Sequence, residues 1–109
     1  MVIDFDKIEM KNVEHLQGGE KYVGVQAFDQ PEMRVVKVTL IPGASLGLHT
    51  HTINSEVVYC LSGTGKTICD GEEQRLQPGS CSYCPKGHQH TLINDGEENL
   101  VCLGVIPVQ

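Results

Sequence analysis

The sequence predicts an all-β domain, a sandwich or barrel of short antiparallel strands. Runs rich in β-branched and aromatic residues recur along the chain, and Gly, Pro, Asn and Asp punctuate them. Apolar residues nowhere hold a 3.6-residue period for three turns, so little or no helix is expected. Asp70-Gly71 sits between two such runs, and Asp-Gly is a strong two-residue hairpin signal.

The elements follow in chain order. Residues 1–21 are mixed and polar and are expected to form an N-terminal arm or edge strand, with a short strand near Lys7–Lys11. Gly18-Gly19-Glu20-Lys21 turns the chain, and residues 22–28 read as a strand. Pro31 presets a turn dihedral within Asp29-Gln30-Pro31-Glu32. Residues 33–41 form a long β-branched strand that Pro42-Gly43 ends. Residues 44–48 read as a short connection, and residues 49–52 as extended chain. Strands are then expected at 56–61, 66–69, 72–76, 80–84, 88–93 and 100–106, with turns at the Gly, Pro and Asn positions between them.

Composition bounds the function. With 109 residues the chain is expected to be a single domain, residues 1–109. The net charge of −6 argues against nucleic acid or an anionic membrane as the main partner. No apolar run reaches the roughly 18 residues of a membrane-spanning helix. The first residues lack the basic region and long apolar core of a signal peptide, so a cytoplasmic protein is expected. Five cysteines, an odd number, do not suggest a disulfide framework.

The chemistry gathers around His49-Thr50-His51. Side chains at i and i+2 of a strand share a face, so both imidazoles project together. Glu56 follows closely enough to return on the next segment and face them, and His90 arrives later. The histidine pair alone does not separate core residues from ligands; the glutamate and the third histidine point to a metal. Imidazole and carboxylate suit one divalent Mn, Fe, Co, Ni, Cu or Zn ion without choosing among them.

These residues carry a family resemblance. Gly43-x5-His49-x-His51-x4-Glu56-x6-Gly63 matches the first motif of the cupin superfamily at every position. Gly79-x5-Pro85-x-Gly87-x2-His90-x3-Asn94 matches the second, and the short intermotif segment is similar to that of small single-domain cupins. The resemblance covers residues 43–94 and implies an antiparallel jelly-roll barrel. It implies His49, His51, Glu56 and His90 as ligands, with one or two coordination positions left for water or substrate. It admits dioxygenases, isomerases and lyases. A metal-dependent enzyme acting on a small polar molecule is therefore the leading expectation, and a non-catalytic module for a small ligand or metal the alternative. Small cupins often pair, and a short β chain has exposed edges to protect, so a homodimer is expected.

Other residues are weighed against these. His88 lies two residues from His90, and a regular strand would aim it inward as an acid/base; the competing reading is a rim histidine just after Gly87. Val58, Cys60 and Leu92 share parity with ligands and are expected to line the pocket. In strand 33–41 the more apolar set, Arg34, Val36, Val38 and Leu40, is preferred as the inner face. Arg34 at the rim would meet an anionic ligand or remain solvated. His15 is expected to be solvated. Cys81-Ser82-Tyr83-Cys84 has C-x-x-C spacing, but i and i+3 of a strand point to opposite faces, so two unlinked thiols are expected.

Overall fold

The computed structural model describes residues 1–109. Ten strands form in order: β1 Lys11–Glu14, β2 Tyr22–Asp29, β3 Met33–Leu40, β4 Ser45–Thr50, β5 Glu56–Ser62, β6 Gly65–Cys69, β7 Glu72–Leu76, β8 Cys81–Cys84, β9 Gln89–Ile93 and β10 Leu100–Pro107. They make a six-stranded sheet in the order β1-β2-β3-β10-β5-β8 and a four-stranded sheet in the order β4-β9-β6-β7. Every pairing is antiparallel. The two sheets face one another as a jelly roll.

Period-two burial builds the core. Val23, Val36, Val38 and Leu40 from β2 and β3 meet Val58, Cys60, Leu100 and Cys102 from β5 and β10. Ala44, Leu76 and Leu92 cover them from the opposite side. The alternate residues Tyr59, Leu61 and Tyr83 are exposed on the outer face. Asp70-Gly71 joins β6 to β7 with both residues at positive φ, 50° and 82°, as a type I′ turn requires. Gly63 (φ 76°) approaches the backbone so closely that a Cβ would lie 2.1 Å from the Asn99 carbonyl oxygen.

Two expectations are corrected. Residues 7–11 are not a strand: Phe5–Lys7 is a 3₁₀ turn, where the Asp4 side chain accepts from the Asp6 amide, and the edge strand β1 begins at Lys11. Residues 44–48 are not a connection. From Ser45 they belong to β4, whose pairing with β9 slips between Leu46 and His49. Gly47 in this irregular stretch hides the strand from a propensity reading.

Asn94 shows how the second motif is anchored. Its side-chain amide is fully buried and donates to the carbonyls of Leu40 and Glu98, both at 2.8 Å, while Oδ1 accepts from the Gly96 amide at 2.9 Å. Asn94→Ala orphans these groups and leaves a void, so a loss of about 2–4 kcal/mol is expected in urea unfolding. A variant within about 0.5 kcal/mol of the parent would remove this anchoring role.

Candidate metal centre

The two sheets bring four sequence-distant donors together. His49 on β4 is the cross-strand partner of His90 on β9. Glu56 opens β5 in the facing sheet. β4 ends at Thr50, so strand regularity does not hold His51. Instead its amide donates to the His88 carbonyl at 3.0 Å, and its carbonyl accepts from the Gly87 amide at 2.6 Å. The glycine-proline turn of the second motif thus fixes the second histidine of the first.

The donor atoms converge. His90 Nε2 lies 3.0 Å from His49 Nε2 and 2.9 Å from His51 Nε2. Glu56 Oε1 is 3.2 Å from His51 Nε2 and 3.0 Å from His90 Nε2. His51, Glu56 and His90 are buried, and His49 is half-buried at the cavity face. Adjacent ligands about 2.1 Å from a shared metal stand roughly 3.0–3.4 Å apart, close to these four separations, and all the donor atoms lie within 4.8 Å of one another.

Tautomers favour the same reading. The Gly47 carbonyl can only accept, so His49 Nδ1 donates to it at 2.8 Å. His51 Nδ1 likewise donates to Asn54 Oδ1 at 2.6 Å. Both neutral rings therefore turn an Nε2 lone pair toward the centre, as metal-ligating histidines do. One proton on His90 Nε2 cannot satisfy both; a single cation can. The cluster fits one metal ion.

A cavity of about 390 Å³ opens beside these residues. Val36, Val38, Val58, Leu92 and Ile106 supply apolar wall, and Gln17, Gln30, Arg34 and Asn54 supply polar groups. Apart from Glu56 and the three histidines, no carboxylate, lysine, tyrosine or cysteine lines it.

A family model described as "Cupin domain" matches residues 36–106. The chain belongs to the cupin family. This cupin is 27% identical to the oxalate-binding protein of Thermotoga maritima, over 97% of its own length and 93% of that protein. The crystal structure of a predicted oxalate decarboxylase from T. maritima superposes with a TM-score of 0.94 at 26% identity and full coverage of both chains. A sugar phosphate isomerase from Silicibacter pomeroyi shares the fold at a TM-score of 0.81, with 22% identity and coverage of 100% of this chain and 76% of that one.

The remaining expected site residues divide. Val58, Leu92 and Arg34 line the cavity. Arg34 sits half-exposed, and its Nε pairs with Asp29 at 3.0 Å. Cys60 does not line it: this fully buried residue lies farther along β5, where its thiol donates to the carbonyls of Ser62 and Gly63. His88 does not line it either. β9 begins only at Gln89, and the exposed His88 turns its Nδ1 to Asp70. His15 is exposed and does not line the cavity; its Nδ1 donates to the Gly19 carbonyl at 3.0 Å. Sequence reading missed the Gly47 carbonyl and Asn54; an Asx residue in the turn three positions after His51 was the available signal.

Protonation competes with metal here. Burial pushes the Glu56 carboxyl up, but when His51 takes up a second proton its Nε2–H joins that of His90 in bonding Glu56, and these bonds hold the carboxyl down at about 2. The bond to Glu56 raises His51 above its ordinary value of 6.5 against the pull of burial, and Asn54 adds to the rise. Burial lowers His49. In the metal-free protein, the depressed Glu56 contributes stability that is present above 4.5 and lost as pH falls toward about 2. The raised His51 contributes stability present below 6.5 and lost as pH rises through its folded value. The lowered His49 opposes it, losing stability as pH falls below 6.5, so the expectation is on the acid side: thermal midpoints of chelator-treated protein should fall as pH drops from about 4.5 toward about 2. Metal affinity should strengthen as pH rises through the histidine range, because ligating imidazoles must be neutral. Titrations at several pH values check both; a metal affinity independent of pH would contradict the assignment.

Proposed function

We propose that this cupin holds one divalent transition metal through His49, His51, Glu56 and His90 and uses it to bind a small anionic molecule of the carboxylate class. The carrying observation is the convergence of four donors at one side of a cavity whose other walls are mainly apolar. When bound, the metal would supply Lewis acidity and an open position for an oxygen donor. The chain's own residues do the rest. Gly47 and Asn54 orient the imidazoles, the valine and leucine walls exclude water, and Arg34 offers a cation at the rim. The cavity suits a small molecule, and the name of the oxalate-binding relative supports a carboxylate.

A metal-dependent enzyme, of dioxygenase, isomerase or lyase type, is the second reading. It is favoured by the cavity that gives a small molecule room beside the centre. His88 carries no acid–base role in it, because Asp70 holds that ring outside the cavity.

The test begins with elemental analysis of protein purified without added metal. Iron would point to oxygen chemistry. Metal-loaded and chelated protein are then titrated with oxalate, acetate and a neutral sugar, while NMR follows the fate of each. Binding of oxalate that requires the metal supports the proposal, and turnover of the bound molecule moves it to the enzyme reading. Equal binding with and without metal would overturn both.

We further propose a cytoplasmic homodimer that pairs through the outer face of the six-stranded sheet, where Tyr59, Leu61 and Tyr83 are exposed. Light scattering at micromolar concentration should give the dimer mass, and Tyr83→Glu should shift it toward monomer. A monomeric parent sinks this assignment.

A further inference from the structure

We propose that Cys69 and Cys84 form a reversible oxidation site, a dithiol that closes to a disulfide between the two sheets beside the candidate metal centre. The strand register places them there. Cys69 on β6 is the cross-strand partner of His90 on β9. Cys84 on β8 is the cross-strand partner of Glu56 on β5. His90 and Glu56 meet across the sandwich at 3.0 Å. One strand farther along each sheet, the same facing arrangement sets Cys84 on β8 against Cys69 on β6 at the same end of the sandwich.

All five cysteines are free thiols, and this pair differs from the others. Cys60 and Cys102 also touch, but both are fully buried and closed to an oxidant. Cys81 is exposed, and it points to the opposite face of β8 from Cys84. Only the Cys69–Cys84 pair joins a partly exposed cysteine to a buried one. Such a pair lets an oxidant reach one sulfur while the second waits to resolve it.

A peroxide supplies the oxidising equivalents. The Cys69 thiolate attacks one peroxide oxygen: an S–O bond forms, the O–O bond breaks, and one water leaves after protonation. The Cys84 sulfur then attacks the Cys69 sulfenic acid. The S–S bond forms, the S–O bond breaks, and the hydroxyl leaves as water with the proton that Cys84 releases. Two thiols and one hydrogen peroxide give one disulfide and two waters. A thiol reductant reverses the reaction.

The test uses the full reduced chain in a Cys81→Ser background, so that only one cysteine remains on the β8 peptide. After mild peroxide treatment and thiol blocking, trypsin cleaves at Lys66, Arg75 and Lys86 and separates Cys69 from Cys84. The expected result is a crosslinked pair of peptides about 2 Da lighter than their sum, which reductant abolishes. Cys69→Ser removes the crosslink. Oxidation should also raise the thermal midpoint of the parent by about 4 °C or more, because the bond constrains the unfolded chain. The Cys69→Ser variant should not respond to peroxide, and that comparison stands even where Cys84→Ser fails to fold. Cys69 ending as sulfinic acid with Cys84 still free, or a Cys60–Cys102 crosslink forming as fast, overturns the proposal.

Discussion

His90→Ala is expected to lower metal affinity by more than about a hundredfold, since loss of an outer partner of a ligand already costs 10–100-fold. His90 is central to the cluster. Its Nε2 lies within 3.0 Å of three of the converging atoms: His49 Nε2, His51 Nε2 and Glu56 Oε1. Alanine removes a donor and also leaves the buried Glu56 carboxylate without one of the two hydrogen bonds that hold its proton off. His51→Ala should follow the same course, because that ring is likewise bonded to Glu56 and His90. His88→Ala is the control. Its ring pairs with Asp70 on the exposed surface, so metal affinity should stay within about threefold, less than loss of an outer partner brings. Metal titration of chelator-stripped protein reads all three. Equal losses for His88→Ala and His90→Ala would show that the ligand set is misassigned.

Gly47→Ala should damage fold and site together. A Cβ there would stand 2.1 Å from the Gln17 carbonyl oxygen and 2.9 Å from Gly18 C, both backbone atoms that cannot rotate away. The turn Leu16–Gly18 would have to lift from β4, at a cost of about 2–3 kcal/mol typical of overpacking. Gly47 also supplies the carbonyl that fixes the His49 tautomer, so the shift should loosen metal binding by about tenfold. Gly96→Ala is the comparison: its new Cβ would meet nothing closer than 3.4 Å, and it should change stability by less than about 1 kcal/mol. Urea unfolding of metal-free protein and a metal titration separate the two effects. A Gly47→Ala protein with parental stability and affinity would show that this close approach does not position His49.

Much of this architecture was readable in one dimension. Strands alternate with period two, so Val36, Val38 and Val58 announced an inner face and Tyr59 an outer one. Asp70-Gly71 specified its hairpin because positive φ at two successive positions suits few residue types. The four donors were legible because residue type and spacing both constrain ligation. The boundaries of β4 were not, because Gly47 serves a tertiary contact that local propensity does not register.

The chain order of residues therefore set the strand faces, the tight turns and the identities of the converging donors. Those depend on local backbone chemistry and on side-chain parity. Only the packed sheets decided what each donor meets. Parity left His88 either inward or at the rim; the strand starts one residue later and the ring turns to Asp70, which is the rim reading. Parity also put Cys60 at the cavity, yet depth along β5 carries it past the end. The meeting of His90 with Glu56, and the facing of Cys69 and Cys84, arise between segments remote from one another in sequence. Such contacts depend on how two twisted sheets are stacked and offset, a quantity that no period along a single strand contains.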